Sequence, residues 1–370
     1  MNQFTTRQLI LLSVLLEVNI TFVHTPSQAG AFAGQHAYCT CIVAAIVLCL
    51  PIWAYLKLGQ RFPNQDLFQT MVSSNPLIGR MLLLTYFVLF LILFSRDLWI
   101  ITDLTKTILL QLTPFFIISL IVMLSIVFMA KGGINTIMNL SETFMPISIL
   151  TLLTMPFFFG NNMEFSELRP FLHPNMTGIM KGGWYMFSYM ADILMIPFVL
   201  QGKNYRPSGA WWGHLIGTAF MILMVTLMQV VIGVPILMRL FYPSYELARQ
   251  LYLTDFLDRF DIFVGGLMIP ASLIKLAMDL YVLSMAIKRL FPHVQGALMV
   301  WPVGLLGYVS SFIIFSNSIQ IYDFSREWTM VMIMFFIIMP LVLCLLLRPN
   351  NKGKEQGMEN KARLGNDPVH

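Results

Sequence analysis

Long apolar stretches separated by short polar segments run through almost the whole 370-residue chain. Each stretch is close to the roughly 20 residues that an α-helix needs to cross the hydrocarbon of a bilayer, and the longer ones allow a tilted crossing. The pattern predicts an all-α, polytopic membrane protein with about ten transmembrane helices. The predicted spans are residues 8–30, 37–57, 81–106, 114–131, 140–160, 183–201, 210–239, 261–288, 297–317 and 327–348.

The segments between the spans are too short for a soluble domain, so residues 1–348 are predicted to form a single transmembrane domain. Residues 349–370 are polar and rich in Lys, Glu, Asn and Gly, which predicts a cytoplasmic tail without a packed core. Two external segments are longer than simple turns, namely residues 161–182 and 240–260. The second has the spacing of an amphipathic surface helix, which either packs on the bundle or acts as a lid or docking surface.

Composition agrees with this class, because charged residues make up 11% of the chain against roughly 25% in a soluble domain. Of the 23 Lys and Arg residues, fourteen lie on the side of the N-terminus, seven on the opposite side and two inside predicted spans. This bias predicts that both termini are cytoplasmic. The net charge of +5 therefore belongs to loops, and nucleic-acid binding is not indicated, since no basic run alternates with aromatic residues.

The sequence carries no motif for catalysis, a metal or a cofactor. HExxH, GxSxG and GxxxxGK[ST] are absent, and the six histidines are scattered. The four cysteines lack CxxC spacing and are expected to be free thiols. We therefore expect neither an enzyme nor a bound cofactor.

Ionisable and polar residues inside the bilayer are costly, so each needs a partner or a purpose. They concentrate in the first, third, sixth and eighth spans, whereas the second, fourth, seventh and ninth contain almost none. This segregation predicts a polar interior built by four spans. The residues are Glu17, Asn19, Thr21 and His24 in the first span, Arg96, Asp97 and Asp103 in the third, Asp192 in the sixth, and Lys275 and Asp279 in the eighth.

The first and sixth spans also have the composition of interrupted helices. Residues 17–27 mix β-branched and polar side chains and contain Pro26, and residues 182–192 begin with two glycines and precede Pro197. Unwound backbone at membrane depth is tolerated where it lines a cavity. If the ten spans divide into two halves of five, each of these two spans is the first of its half. We therefore predict an inverted repeat, about 8–160 and about 183–348, with a binding site at the midplane.

Each polar residue also has a simpler interpretation. Pro26 and Pro197 could be ordinary kinks. Lys275 and Asp279 are four residues apart and could neutralise each other, and Asp103 could form a solvated pair with Lys106. Arg96 and Asp97 are adjacent on a helix and point in different directions. Asp192 is the hardest to explain structurally, since it has no cation nearby in the sequence.

The order of several short motifs resembles the B subunits of endospore germinant receptors, a permease-like family within the amino acid–polyamine–organocation superfamily. The resemblance covers nearly the whole chain, from Arg7 to about Leu347. Singly the motifs are weak, but their order and spacing are characteristic. They are Arg61-Phe62-Pro63, Leu112-Thr113-Pro114, Gly132-Gly133-Ile134, Leu168-Arg169-Pro170-Phe171, Tyr242-Pro243, Phe256-Leu257-Asp258-Arg259-Phe260-Asp261 and Leu273-Ile274-Lys275.

The resemblance implies the fold of amino-acid transporters, a place in the spore inner membrane, and assembly with an A subunit and a lipoprotein C subunit. By position, it implies a ligand site at Asn19, Ile20, Thr21, Leu89, Phe90, Met190, Ala191, Asp192, Ile274 and Lys275. Glu17, His24, Asp97 and Asp279 are candidates for proton binding or gating. Many relatives have a glycine-rich break where this chain has Asn19-Ile20-Thr21, so a sugar or an unusual pose competes with a plain amino acid.

Two functional hypotheses follow. In the first, the chain is a receptor subunit that binds a small germinant, an amino acid or a sugar, and passes a conformational change to its partners. In the second, it is a proton-coupled secondary transporter of amino acids or related solutes, in which Asp192, Glu17 or His24 titrates.

Overall fold

A computed structural model describes residues 4–160, 163–169, 174–250, 260–293 and 296–347, and the regular structure within these ranges is entirely helical. The predicted tail at 349–370 lies outside the described residues, as do residues 251–259 of the predicted external helix. The helices are α1 (Thr6–His24), α2 (Pro26–Ala33), α3 (Ala37–Arg61), α4 (Leu67–Ser74), α5 (Pro76–Ile108), α6 (Phe115–Lys131), α7 (Gly133–Phe158), α8 (Met176–Met190), α9 (Ile196–Val199), α10 (Pro207–Ile232), α11 (Val234–Leu237), α12 (Pro243–Arg249), α13 (Phe260–Leu290), α14 (Gly296–Ile314), α15 (Ser318–Ile333) and α16 (Met339–Leu346).

Within these ranges, eight helical stretches are long and apolar enough to cross a membrane, and α6 is a shorter apolar helix of 17 residues. The helices group into ten segments: α1–α2, α3, α5, α6, α7, α8–α9, α10, α13, α14 and α15–α16. This confirms the predicted all-α membrane fold. Three predicted starts differ most from the observed ones: the fifth span begins at Gly133 rather than 140, the sixth at Met176 rather than 183, and the tenth at Ser318 rather than 327. In the sixth span, Gly182 and Gly183 lie inside α8 and let it approach Thr40 and Val43 of α3.

The chain reverses direction at Gly34, whose φ of +59° favours glycine. Helix α1 runs parallel to α10, since Leu9 contacts Gly209 and Glu17 contacts Gly217. Helix α3 runs antiparallel to α10, because Gly34 O accepts from Gln229 while Ala45 O accepts from His214. Residues 26–61 therefore form two separate segments, α2 and α3, on either side of the reversal at Gly34. We call the two ends of the bundle the Gly34 end and the Gly59 end.

The first predicted break is displaced. Helix α1 continues through Asn19, Ile20 and Thr21 and ends at His24, so the prediction of unwound backbone at 19–21 was wrong in position. The interruption lies at Thr25, before Pro26, which has no backbone N–H to continue the ladder. Thr25 keeps helical dihedral angles, so the helix is bent rather than unwound.

The second predicted break is present. Helix α8 ends at Met190, and Ala191–Met195 form a 3₁₀ segment before the single turn of α9. Pro197 begins this turn, where a missing N–H costs nothing. The 3₁₀ segment changes the direction in which side chains leave the helix, and Asp192 lies within it.

Candidate ligand site at the centre of the bundle

Five ionisable side chains meet in the interior, on three different segments. Arg96 and Asp97 come from α5, Asp192 from the 3₁₀ segment, and Lys275 and Asp279 from α13. None of these residues has exposed surface. We call them the central charge cluster. With every member ionised, two cations face three carboxylates, which leaves one formal negative charge.

Lys275 is the hub of the central charge cluster. Its Nζ contacts a carboxylate oxygen of Asp97, lies 2.9 Å from Asp192 Oδ2 and lies 2.8 Å from Asp279 Oδ2. Arg96 Nε donates to Asp97 Oδ1 at 2.7 Å, and Arg96 Nη2 lies 3.8 Å from Asp192 Oδ2. Asp192 therefore has two nearby cations, which its sequence neighbours did not reveal.

Several atoms of the central charge cluster have no hydrogen-bond partner in the protein. Among the described residues these include Arg96 Nη1, Asp192 Oδ1 and Asp279 Oδ1, each without measurable exposure. A buried polar atom left unpaired costs about 1–3 kcal/mol, so each of these atoms calls for a partner that the described residues do not supply. Unused donors beside unused acceptors suit a small molecule that both accepts and donates hydrogen bonds.

Aromatic side chains cover the cluster toward the Gly34 end. The Arg96 guanidinium lies 4.2 Å from the centroid of the Tyr189 ring, and the Tyr189 hydroxyl pairs with Ser325 Oγ at 2.6 Å. His24 stacks on Tyr322 with ring centroids 4.2 Å apart, and both His24 nitrogens are buried without a hydrogen-bond partner in the part of the chain that the structure describes. These contacts join α1, α8 and α15, so the site is closed on this side.

A second aromatic group closes the Gly59 side. The Phe198 ring lies 4.9 Å from Phe68, 4.9 Å from Tyr86 and 5.1 Å from Phe90. All four side chains are completely buried. Since α9 carries Phe198, the turn that follows the 3₁₀ segment is itself part of this closure.

The remaining predicted ligand residues divide into two groups. Met190, Ala191 and Ile274 are fully buried beside Asp192 and Lys275 in the chain, whereas Phe90 belongs to the aromatic group and Leu89 is buried next to it in sequence. Asn19 lies elsewhere, in a cavity of ≈ 30 Å³ with Ser148 of α7 and Met268 of α13. Ile20 and Thr21 are buried, and Thr21 Oγ1 donates to Glu17 O.

Glu17 lies in a separate polar pair with His214 of α10. His214 Nδ1 lies 3.0 Å from Glu17 Oε2, His214 Nε2 donates to Ala45 O at 3.1 Å, and Thr218 donates to Glu17 Oε1. Because the carbonyl of Ala45 can only accept, His214 Nε2 must carry a proton. The contact between His214 Nδ1 and the Glu17 carboxyl group needs a second proton, either on Nδ1 or on Glu17. The expectation that the seventh span is nearly free of polar groups was therefore wrong.

Asp103 is not paired with Lys106 in the described structure. It accepts hydrogen bonds from the Tyr242 hydroxyl at 2.5 Å and from Ser318 Oγ at 3.0 Å. Burial raises the pKa of Tyr242 well above its ordinary value, and the Asp103 carboxylate raises it further, so the hydroxyl keeps its proton and donates. The interaction ties α5, the loop before α12 and the start of α15 together at the Gly34 end.

Tyr242→Phe is expected to lower the free energy of unfolding by about 1.5–3 kcal/mol, the usual worth of a hydrogen bond to a charged group. The midpoint of thermal unfolding in detergent measures this. Tyr38→Phe, on a residue with little contact to this site, serves as the control, and equal midpoints for the two variants would contradict the assignment.

Sequence reasoning missed Tyr189, His214 and Ser325 as members of the polar interior. It placed Arg96 in that interior but not in the ligand site, whereas in the structure the long side chain of Arg96 reaches across to Asp192. A usable signal existed for His214, which follows Gly213 in the series Gly209, Gly213 and Gly217. Glycines four residues apart mark a close helix contact in membranes.

Comparison with known structures shows the fold. The chain is similar to the nucleobase-cation-symport-1 family transporter Mhp1 in a closed conformation with bromovinylhydantoin bound, with a TM-score of 0.59, 12% identity, and coverage of 88% of this chain and 75% of that one. The inward-facing conformation of Mhp1 gives a TM-score of 0.54 at 11% identity, covering 88% and 72%. The chain has this five-plus-five inverted-repeat transporter fold.

Comparison with known sequences shows the family. Putative spore germination protein YfkT of Bacillus subtilis (strain 168) is 23% identical over 349 residues, which cover 94% of this chain and 97% of that protein. Spore germination protein KB of the same organism is 19% identical and covers 85% and 86%. Residues 3–319 match the model of the spore germination protein family, named Spore_permease. The chain is therefore a multi-pass membrane protein of the spore germination permease family.

Proposed function

We propose that this protein is the permease-like B subunit of a spore germinant receptor and that it binds a small germinant, an amino acid or a sugar, at the central charge cluster. The observation that carries the proposal is a donor atom, Arg96 Nη1, and two acceptor atoms, Asp192 Oδ1 and Asp279 Oδ1, which have no partner among the described residues and lie in a fully buried site. A ligand with both kinds of group would satisfy them.

The position of the cluster suits a sensor. Asp192 belongs to the 3₁₀ segment, Arg96 to α5 and Lys275 to α13. A ligand that replaces one partner in an ion pair between them would therefore change the interactions that hold these three segments together. Binding would stabilise one arrangement of these segments over another by its difference in affinity for the two. The receptor hypothesis places both termini in the cytoplasm, the protein in the spore inner membrane, and the A and C subunits as the partners that receive the change.

A germination assay tests the proposal. Spores that lack the gene are screened against a panel of amino acids, sugars and nucleosides, and a lost response identifies the germinant. The gene is then restored as wild type, as Asp192→Asn, or as Asp323→Asn, which makes the same change on an exposed residue of α15. If no response changes on deletion, the receptor proposal fails.

Asp192→Asn is expected to weaken germinant binding by on the order of tenfold to a hundredfold, because it removes a charged hydrogen-bonding partner. The variant should fold, since the cluster then has two cations facing two carboxylates. Direct binding of the identified germinant to purified protein in nanodiscs measures the effect. Asp323→Asn should bind the germinant as wild type does. Equal affinities for all three proteins would show that the germinant does not bind at the central charge cluster.

A proton-coupled transporter is the second candidate, and the fold shared with Mhp1 together with the buried Glu17–His214 pair supports it. Uptake of the labelled germinant into proteoliposomes separates the two. Uptake driven by a pH gradient and lost in Asp192→Asn supports the transporter, whereas binding without uptake supports the receptor.

A further inference from the structure

We propose that a groove between α8 and α15, in the half of the bundle toward the Gly34 end, binds the headgroup of an anionic phospholipid from the surrounding membrane leaflet. The groove has a volume of ≈ 410 Å³ and is separate from the central charge cluster. Lys181, Trp184 and Tyr185 line it from α8, and Arg326, Met330 and Ile333 line it from α15.

Polarity changes along the groove in the way that a lipid requires. Lys181 lies five residues after the start of α8 at the Gly34 end, and Arg326 lies eight residues after the start of α15 at the same end. The apolar side chains Met330 and Ile333 follow one and two turns deeper. A headgroup phosphate at the two cations would leave the acyl chain lying along the apolar part.

The polar groups of the groove have capacity for a ligand. Arg326 Nη2 donates to Gln28 Oε1 at 2.7 Å and its guanidinium lies 5.5 Å from the Phe32 ring. Within the described ranges, neither Arg326 nor Lys181 is ion-paired with a carboxylate. Two cations without a carboxylate partner match a phosphate group.

The groove opens toward lipid rather than toward water. Met330 on α15 is 80% exposed, and Met334 and Ile338, in the π-helical segment Met334–Ile338 that continues α15, are each 52% exposed. On α8, Met176 and Met180 are also exposed, by 64% and 45%. Apolar side chains exposed in this way on a membrane helix face the bilayer, and a lipid phosphate level with the two cations would accept charge-assisted hydrogen bonds from them. Charge complementarity and the lateral opening therefore both favour a phospholipid as the occupant.

Lipid retention by the full-length protein tests the inference. The protein is incubated with an equimolar mixture of phosphatidylglycerol and phosphatidylcholine of one acyl composition, and the lipids retained after detergent exchange are counted by native mass spectrometry. We expect phosphatidylglycerol to be retained preferentially, and Lys181→Gln/Arg326→Gln to reduce its retention about tenfold or more.

Two variants keep the result interpretable. Lys106→Gln removes a cation at the same end but outside the groove, and it should retain phosphatidylglycerol as wild type does. Met330→Trp fills the groove at a highly exposed side chain without changing charge, and it should also reduce retention. Equal retention by the double variant and Lys106→Gln, or equal retention of the two lipids by wild type, overturns the proposal. Displacement by soluble glycerol 3-phosphate as effective as by phosphatidylglycerol would make a free anion the ligand and overturn it too.

Discussion

Lys275→Met is expected to lower the free energy of unfolding by about 3–5 kcal/mol, because it leaves buried carboxylates without their shared cation. Lys275 Nζ pairs with Asp97, Asp192 and Asp279, and none of these residues has exposed surface. Without it, three carboxylates would face Arg96 alone. The amount of monodisperse protein on size-exclusion chromatography and the midpoint of thermal unfolding measure the loss.

The double variant Lys275→Met/Asp279→Leu is the matched control. It removes one positive and one negative charge together, so the remaining Arg96, Asp97 and Asp192 have the same formal charge of −1 as the full cluster. Replacing both members of a buried pair by apolar groups is often nearly neutral, so most of the lost stability should return. A double variant as unstable as Lys275→Met would show that charge balance is not what the central charge cluster contributes.

Gly213→Ala is expected to lower the free energy of unfolding by about 1–3 kcal/mol through overpacking between α1 and α10. A Cβ at Gly213 would lie 2.4 Å from Ser13 Cβ, closer than such atoms approach, so the two helices would have to separate. That separation would also lengthen the contact between Glu17 and His214, which lies one turn farther along the same interface. The midpoint of thermal unfolding measures the effect.

Gly266→Ala makes the same chemical change where it should not harm the fold. Gly266 is inside α13, and a Cβ built there would have no described atom within 4 Å apart from its chain neighbours and the nearby backbone of its own helix. Alanine is the better helix former there, so the free energy of unfolding should rise by about 0.4–1 kcal/mol. We therefore expect the free energy of unfolding to fall in Gly213→Ala and to rise in Gly266→Ala. The same small change in both variants would rule out the close contact of α1 with α10.

The two closures around the central charge cluster place limits on how a germinant would enter. On one side lie Tyr189 with Ser325 and His24 with Tyr322, and on the other lies the aromatic group around Phe198. The first closure combines hydrogen bonds with ring contacts, since the Tyr322 hydroxyl also donates to Phe241 O at 2.9 Å and the Tyr189 ring lies against Arg96. The second closure packs four large rings together. A germinant bound at the central charge cluster would have to displace one of these two closures to enter.

The amino-acid sequence by itself determined the class of the protein and much of its layout. Because a membrane helix must be both long and apolar, the spans and their order follow from hydropathy alone. The cost of intramembrane charge singled out Asp97, Asp192, Lys275 and Asp279, and all four lie in the central charge cluster. The break at Asp192 was also predictable, since Pro197 marks the segment locally, although Gly182 and Gly183 lie inside α8 and not at the break.

Only the tertiary structure decided which polar residues meet. Sequence neighbours leave Asp192 without a cation, yet the packing of α5 and α13 against the 3₁₀ segment supplies Arg96 and Lys275. The same holds for Glu17, whose partner is 197 residues away. Helix periodicity fixes which face a side chain occupies but not which helix lies opposite that face. This is why Asn19, Glu17 and His24, all on one helix, lie in three different environments.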